Sequence, residues 1–380
     1  MSVEQTLSEL VAIDSVSACS NTSIISYLRQ RLESRGLSIQ EYPHIDANGE
    51  TKVNLVAQTS AKGDSEAEAC ATVELALVGH TDTVPYDPSW TDALRLTEQE
   101  GRLFGRGACD TKAFIAAALT AIETVDLEKL TKPLALVFTS DEEIGCLGAK
   151  RMAAAQSFRA RYAIVGEPTS LQPMRAGKGY CLAEITVHGR EAHSAYPQLG
   201  ASAITRAANL IRAIERIAED IKDDRHDAFD PPYTTLNVGL INGGTAKNVV
   251  AGACRFTLEW RTIPGQKTDH VLNRVREVVE EIRKTDPEFS CEIDAGRFDE
   301  SFETAGESQV VQFLEQTSAT TSGTVAFGTE APSMIALGAQ AVVFGPGDIR
   351  VAHRTGEFVP IDELNKSVEI LYRAIQRFCS

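Results

Sequence analysis

The sequence predicts an α/β protein built on a mostly parallel sheet, with a second, α+β domain inserted into it. Three observations carry that expectation. Short, continuously apolar runs bounded by turn residues (Val73–Val78, Leu134–Phe138, Ala163–Val165 and Ala341–Phe344) read as strands buried on both faces. Helical stretches lie between them, as parallel strands require. From about residue 174 to 290 the pattern changes to strands and two long helices in the order of an antiparallel α+β unit. A chain of 380 residues also exceeds the roughly 100–200 of one ordinary domain.

Taken in order, residues 22–36 carry Ile24, Ile25, Leu28 and Leu32 at helical spacing, with Gly36 as the stop. The segment Lys112–Val125, rich in Ala and Leu, is the helix between the first two buried strands. In the middle, strand Tyr180–Val187, helix Ala201–Ile221, strands Thr235–Leu240 and Ala251–Trp260, helix Thr268–Lys284 and strand Glu288–Ile293 follow one another. Ile361, Leu364, Val368, Leu371, Ile375 and Phe378 step by three or four residues through a last amphipathic helix. Turn-rich stretches at 167–173 and 294–308 flank the middle unit. The expected division is a catalytic domain of residues 1–173 and 291–380 and an inserted domain of 174–290.

Composition excludes several classes of function. Apolar residues are 43% and charged residues 24%, a globular profile. Lys and Arg number 37 against 53 Asp and Glu, a net charge of −16 with no basic stripe, so neither nucleic acid nor an anionic membrane is the expected partner. No apolar run approaches a membrane span, and the acidic, amphipathic N-terminus lacks a secretory core. Eight cysteines, at 19, 70, 109, 146, 181, 254, 291 and 379, form no CxxC pair and read as reduced thiols. A soluble cytoplasmic protein is expected.

The chemistry gathers where the buried strands end. Gly79-His80-Thr81-Asp82 follows the first, Asp141-Glu142-Glu143 the second, Gly166-Glu167-Pro168 the third, and Gly345-Pro346-Gly347 leads toward His353; Asp110 opens the helix that begins at Lys112. In open α/β sheets, ligands bind outside the carboxyl ends of the strands. Singly, Asp110 could be a helix cap and Asp141-Glu142-Glu143 a solvated turn. Jointly they need a counter-charge. Carboxylates within about 4 Å repel by roughly 1 kcal/mol in water and about 4 kcal/mol at an effective dielectric of 20. Few lysines or arginines accompany these turns, so metal is the natural partner, and imidazoles with carboxylates suit zinc or a similar first-row ion. Two divalent ions facing the three carboxylates Asp110, Glu143 and Glu167 leave one positive charge, which a hydroxide nucleophile balances. Asp82 suits a carboxylate that orients His80, and Glu142, beside Glu143, suits a general base. No GxSxG elbow, P-loop, HExxH or dinucleotide-binding glycine motif competes.

The set His80-Thr81-Asp82-Thr83-Val84-Pro85, Gly107-Ala108-Cys109-Asp110-Thr111-Lys112, Asp141-Glu142-Glu143, Gly166-Glu167-Pro168-Thr169 and His353 resembles the co-catalytic zinc aminoacylase/carboxypeptidase family over nearly the whole chain. The resemblance implies a catalytic domain of zinc aminopeptidase type and a ferredoxin-like lid that also mediates a homodimer. It implies that Asp110 bridges two divalent ions, zinc with cobalt as the alternative, His80 and Glu167 completing one and His353 and Glu143 the other. Glu142 is the implied base and Asp82 the implied orienting residue. His193, in Gly189-Arg190-Glu191-Ala192-His193-Ser194, matches a histidine that steadies the oxyanion, and Asn248, Arg261, Gly328 and Thr329 match substrate contacts.

The segment Phe327-Gly328-Thr329-Glu330-Ala331-Pro332 looks like the family's deacetylase branch, whereas the desuccinylases carry Ser-Asp-Gly after Gly-Thr. The implied reaction is hydrolysis of a small N-acyl amino acid, N2-acetyl-L-ornithine first, as a step of arginine biosynthesis. A dipeptidase, another N-acyl-amino-acid amidase or a desuccinylase of succinyl-diaminopimelate is the alternative. Cys109, directly before Asp110, departs from the family pattern and reads as packing or as a thiol near the metals.

Overall fold

The computed structural model of the chain describes residues 1–59 and 72–380, and Cys70 lies outside them. The chain divides into two units, one of Met1–Arg175, Glu303–Gly323 and Thr329–Ser380, the other of Ala176–Phe302 and Thr324–Gly328.

In the first unit, β1 (Ser38–Ile45), β2 (Thr51–Gln58), β3 (Val73–His80), β4 (Leu134–Thr139) and β5 (Ala160–Val165) are joined by β10 (Gln340–Val343). They lie in the order β1-β2-β4-β3-β5-β10. The last four are mutually parallel, as their apolar runs predicted, while β1 and β2 form an antiparallel hairpin on one side. That hairpin was not singled out in the sequence. The helix Thr22–Ser34 stops as expected, with Gly36 in the left-handed region (φ 83°), where a side chain would be strained. The helix Lys112–Thr124 is Ala-rich and buried almost all round, which suits a helix packed between the sheet and the terminal helix Ile361–Cys379. Leu7, Ile115, Leu119, Leu371 and Ile375 belong to the same core as β3 and β4.

The second unit holds four antiparallel strands: β6 (Tyr180–His188), β7 (Thr235–Gly243), β8 (Ala253–Arg261) and β9 (Ser290–Asp299), in the order β7-β8-β6-β9. With helices Ala203–Asp220 and His270–Thr285 this is a split βαβ arrangement of ferredoxin-like order. One boundary is corrected. The expected end of the insertion at 290 is too early, because β9 runs on to Asp299, pairs Phe298 with Cys181 and Asp299 with Tyr180, and the unit ends at Phe302. A register shift between Ala295 and Arg297, around Gly296, keeps the strand paired through a stretch that reads as a turn. Gly328 also falls in this unit and Thr329 in the other.

Trp260 is wholly buried in the second core, its indole N–H donating to the Thr268 carbonyl at 2.7 Å and its ring edge-on to Phe298. Trp260→Ala is expected to cost about 3–5 kcal/mol. Urea denaturation measures it, and a loss below about 1 kcal/mol would mean the unit collapses onto the space. Among the described residues, five of the seven cysteines are buried. No helix there is long and apolar enough to cross a membrane.

Candidate active site

Because β3, β4, β5 and β10 run parallel, their carboxyl ends lie side by side, and the segments leaving them carry the acids and histidines. His80 is the last residue of β3; Glu142 and Glu143 follow β4, Glu167 follows β5, and His353 lies ten residues beyond β10. The Gly166–Glu167 step is set by close packing: a Cβ on Gly166 would stand 2.2 Å from the Phe114 ring. His353 itself adopts a left-handed backbone (φ 60°), uncommon for a residue with a side chain.

Two groups of donors result, His80, Asp110 and Glu167 in one and Asp110, Glu143 and His353 in the other, the ligand atoms of each within 4.8 Å of one another. Asp110 is common to both. Its Oδ1 is 3.0 Å from His80 Nε2, and its Oδ2 is 3.0 Å from His353 Nε2. His353 Nε2 is also 3.0 Å from Glu143 Oε2.

Hydrogen bonds around the donors hold them in place. His80 Nδ1 lies 2.9 Å from the Asp82 main-chain oxygen, so Nδ1–H is the donor there and Nε2 faces Asp110. This corrects one expectation: the Asp82 carboxylate, 3.7 Å from the ring, is not the group that orients His80. It accepts instead from the amides of Glu142 (3.0 Å) and Glu143 (3.3 Å) and from the Ser17 hydroxyl (2.7 Å). A residue two positions along can reach the imidazole with its carbonyl, which frees the side chain for the neighbouring loop.

Glu357 is a site residue that motif reading missed. Buried, it accepts the amides of Cys109 (2.9 Å) and Asp110 (3.0 Å) and pairs with Arg106 at 2.5 Å, so it fixes the turn that presents Asp110. Its signal, an acid four residues after His353, has no chemistry of its own in the sequence. The peptide between Asp110 and Thr111 is cis.

The electrostatics fit a divalent cation. Burial works against the charge on Asp110, yet hydrogen bonds from His353 and His80 hold its carboxyl well below the usual range. The same bonds push His353 up to about 10, and raise His80 against the opposing effect of its burial. Carboxylates without such a partner go the other way. Burial, with Glu143 and Asp110 adding to it against His80, pushes Glu142 up to about 8, and Glu167 rises for the same kinds of reason. Among the described residues, Glu143 Oε1 is buried with no hydrogen-bond partner. A cluster of buried acids in which only the carboxylate between two imidazoles is lowered, built from oxygen and imidazole donors without a thiolate, has the chemistry of a first-row metal centre.

The remaining predicted residues lie mostly in the second unit. His193 is exposed, bridged to Val249, and Ser194 N–H donates to the Asn248 carbonyl at 3.0 Å, so the structure brings these two loops together. His193 Nδ1 accepts from the Ala195 amide at 3.0 Å, which leaves Nε2–H as the donor of the neutral ring. Arg261, at the end of β8, donates to Glu259 at 2.9 Å and to the Ala326 carbonyl, and stacks over the Tyr180 ring. Thr329 is buried and its hydroxyl accepts the Ala331 amide at 3.3 Å, at the start of the helix Ala331–Ala336. Cys109 is buried against Gly347 and Asp348, a packing role.

Residues 76–377 match Peptidase family M20/M25/M40, and the chain belongs to that family. It is a metal-dependent hydrolase of amide bonds. Among individual proteins, the chain is 51% identical to acetylornithine deacetylase of Myxococcus xanthus over 98% of its length and 97% of the relative's. It is 34% identical to acetylornithine deacetylase of Proteus mirabilis, over 98% and 95%. The fold is shared with a tripeptidase of Staphylococcus aureus (TM-score 0.78, 22% identity, 99% and 97% covered). It is shared too with an M20 family metallo-carboxypeptidase of Sulfolobus solfataricus (TM-score 0.74, 20% identity, 100% and 99% covered).

Proposed function

We propose that the chain hydrolyses N2-acetyl-L-ornithine to L-ornithine and acetate, a step of arginine biosynthesis in the cytoplasm, with two divalent metal ions, zinc or alternatively cobalt. The observation that carries the chemistry is the double donor group sharing Asp110. The choice of substrate is supported by the 51% identity to the Myxococcus deacetylase.

His80, Asp110 and Glu167 hold one ion and Asp110, Glu143 and His353 the other. When bound, the ions supply Lewis acidity to the acyl carbonyl and to water. Glu142 takes the proton of the attacking water and delivers it to the leaving amine nitrogen, cleaving the amide into a free amine and acetate. A carboxylate whose burial raises its proton affinity suits both halves of that transfer. Asp82 steadies Glu142 and Glu143 through their amides. His193 Nε2–H donates to the developing oxyanion. Arg261 and Asn248 place the substrate's α-carboxylate, with Gly328 and Thr329 beside it. The second unit acts as lid and dimerisation domain, a reading supported by its edge strand β7, which exposes Leu240 (71%) and Ile241 (55%).

A panel of N2-acetylornithine, other N-acetyl and N-succinyl amino acids and dipeptides, assayed with metal-loaded protein, tests the substrate. The highest kcat/KM is expected for N2-acetylornithine; a dipeptide or succinyl substrate preferred over it would replace this reading. His193→Ala is expected to lower kcat roughly 100-fold with a smaller change in KM. A rise in KM alone would make His193 a binding residue.

A further inference from the structure

Lys52 lies in β2, a strand otherwise buried along its length, and its side chain is 1% exposed. Its ammonium group donates to the main-chain carbonyls of Ser17 (2.6 Å) and Cys19 (2.7 Å) and stands 2.9 Å from Asp141 Oδ1. Asp46, at 4.0 Å from the ammonium, and His44, at 3.8 Å from Asp141 Oδ2, flank the pair. Asp141 is equally buried, holds a left-handed backbone (φ 58°), and directly precedes Glu142. Ser17, whose carbonyl Lys52 binds, donates its hydroxyl to Asp82, and Asp82 accepts the amides of Glu142 and Glu143. The contacts close into a ring: Lys52, Asp141, the Glu142–Glu143 turn, Asp82, Ser17 and back to Lys52.

A buried ion pair is a poor way to gain stability, since an apolar pair of similar size often serves as well or better. What a ring of one ion pair and several hydrogen bonds does supply is one backbone path instead of several. Asp141 sits in a conformation that residues with side chains rarely adopt, and something must hold it there. We propose that Lys52 and Asp141 are positioning residues of the hydrolysis, a buried clamp that aims Glu142 at the attacking water. The inference rests on the reading of Glu142 as the base. Lys52 touches none of the metal-donor side chains and acts only through Asp141 and Ser17.

The double variant Lys52→Met/Asp141→Asn removes both charges together and avoids leaving either buried alone. It is assayed as metal-loaded protein, with metal content and thermal melting, on whichever N-acyl amino acid the wild type hydrolyses. The clamp predicts a folded protein with wild-type metal content, a KM within about twofold of wild type and a kcat roughly 10- to 100-fold lower. If that variant does not fold, Asp141→Asn alone, which keeps both carbonyl bonds of Lys52, carries the same expectation. A folded variant with kcat within twofold of wild type, a change confined to KM, or failure of both variants to fold would overturn the clamp and leave Glu142 as base untouched. A wild type without amidase turnover overturns both readings.

Discussion

Glu142→Gln is expected to lower kcat by a factor of roughly 100 to 10,000 while metal content and KM stay close to wild type. The substitution is nearly isosteric, and the main-chain N–H of residue 142 keeps its bond to Asp82. Oε1 accepts from the Cys146 thiol at 3.2 Å, a contact that an amide oxygen can also accept. Only the capacity to take and return a proton is lost. Burial makes that capacity available, since it raises the proton affinity of Glu142 toward neutrality, with Glu143 and Asp110 acting in the same sense and His80 against it. Glu142 belongs to neither donor group, so the metals have no reason to leave. Steady-state kinetics with metal analysis on the same sample decide it, and a kcat within threefold of wild type would place the base elsewhere.

Asp110→Asn is expected to strip the site and abolish turnover. Each carboxylate oxygen of Asp110 faces a different histidine at 3.0 Å, so the two donor groups depend on both oxygens. An amide offers one oxygen and one NH2, and the NH2 turns a donor toward an atom that must itself give its lone pair to a metal. One donor group loses a ligand whichever way the amide sits. The loss in kcat/KM should exceed the roughly 10- to 100-fold typical of an outer-sphere partner. The turn itself should survive, because Glu357 holds it by the main-chain amides of Cys109 and Asp110, which the substitution leaves in place. Metal content measured after gel filtration should fall from two ions to one or fewer per chain. A variant that keeps both ions would show that Asp110 does not bridge them.

How far the sequence disclosed all this depended on how each residue works. The strands β3, β4, β5 and β10 were legible because burial on both faces leaves only apolar side chains, and the donors were legible because parallel strands bring their carboxyl ends together. His353 could be found because an imidazole has few uses. Lys52, Ser17 and Glu357 were missed for a shared reason: their partners are largely main-chain groups, which every residue has, so no motif announces them. One clue was present, a lysine immediately before the apolar run of β2, where a charge needs a buried partner. Asp82 meets His80 through its carbonyl rather than the carboxylate expected, a distinction that a sequence does not display. The end of the insertion was misplaced because a glycine that accommodates a bulge looks like a glycine that ends a strand.

The central claim, that the acids and imidazoles leaving four parallel strands exist to hold a pair of metal ions, is tested most directly by anomalous diffraction from crystals of the zinc-loaded protein. Two peaks are expected, both within coordination distance of Asp110, one beside His80 and Glu167 and the other beside Glu143 and His353. No peak at these residues, or a single one that leaves either histidine uncoordinated at full zinc loading, would contradict it.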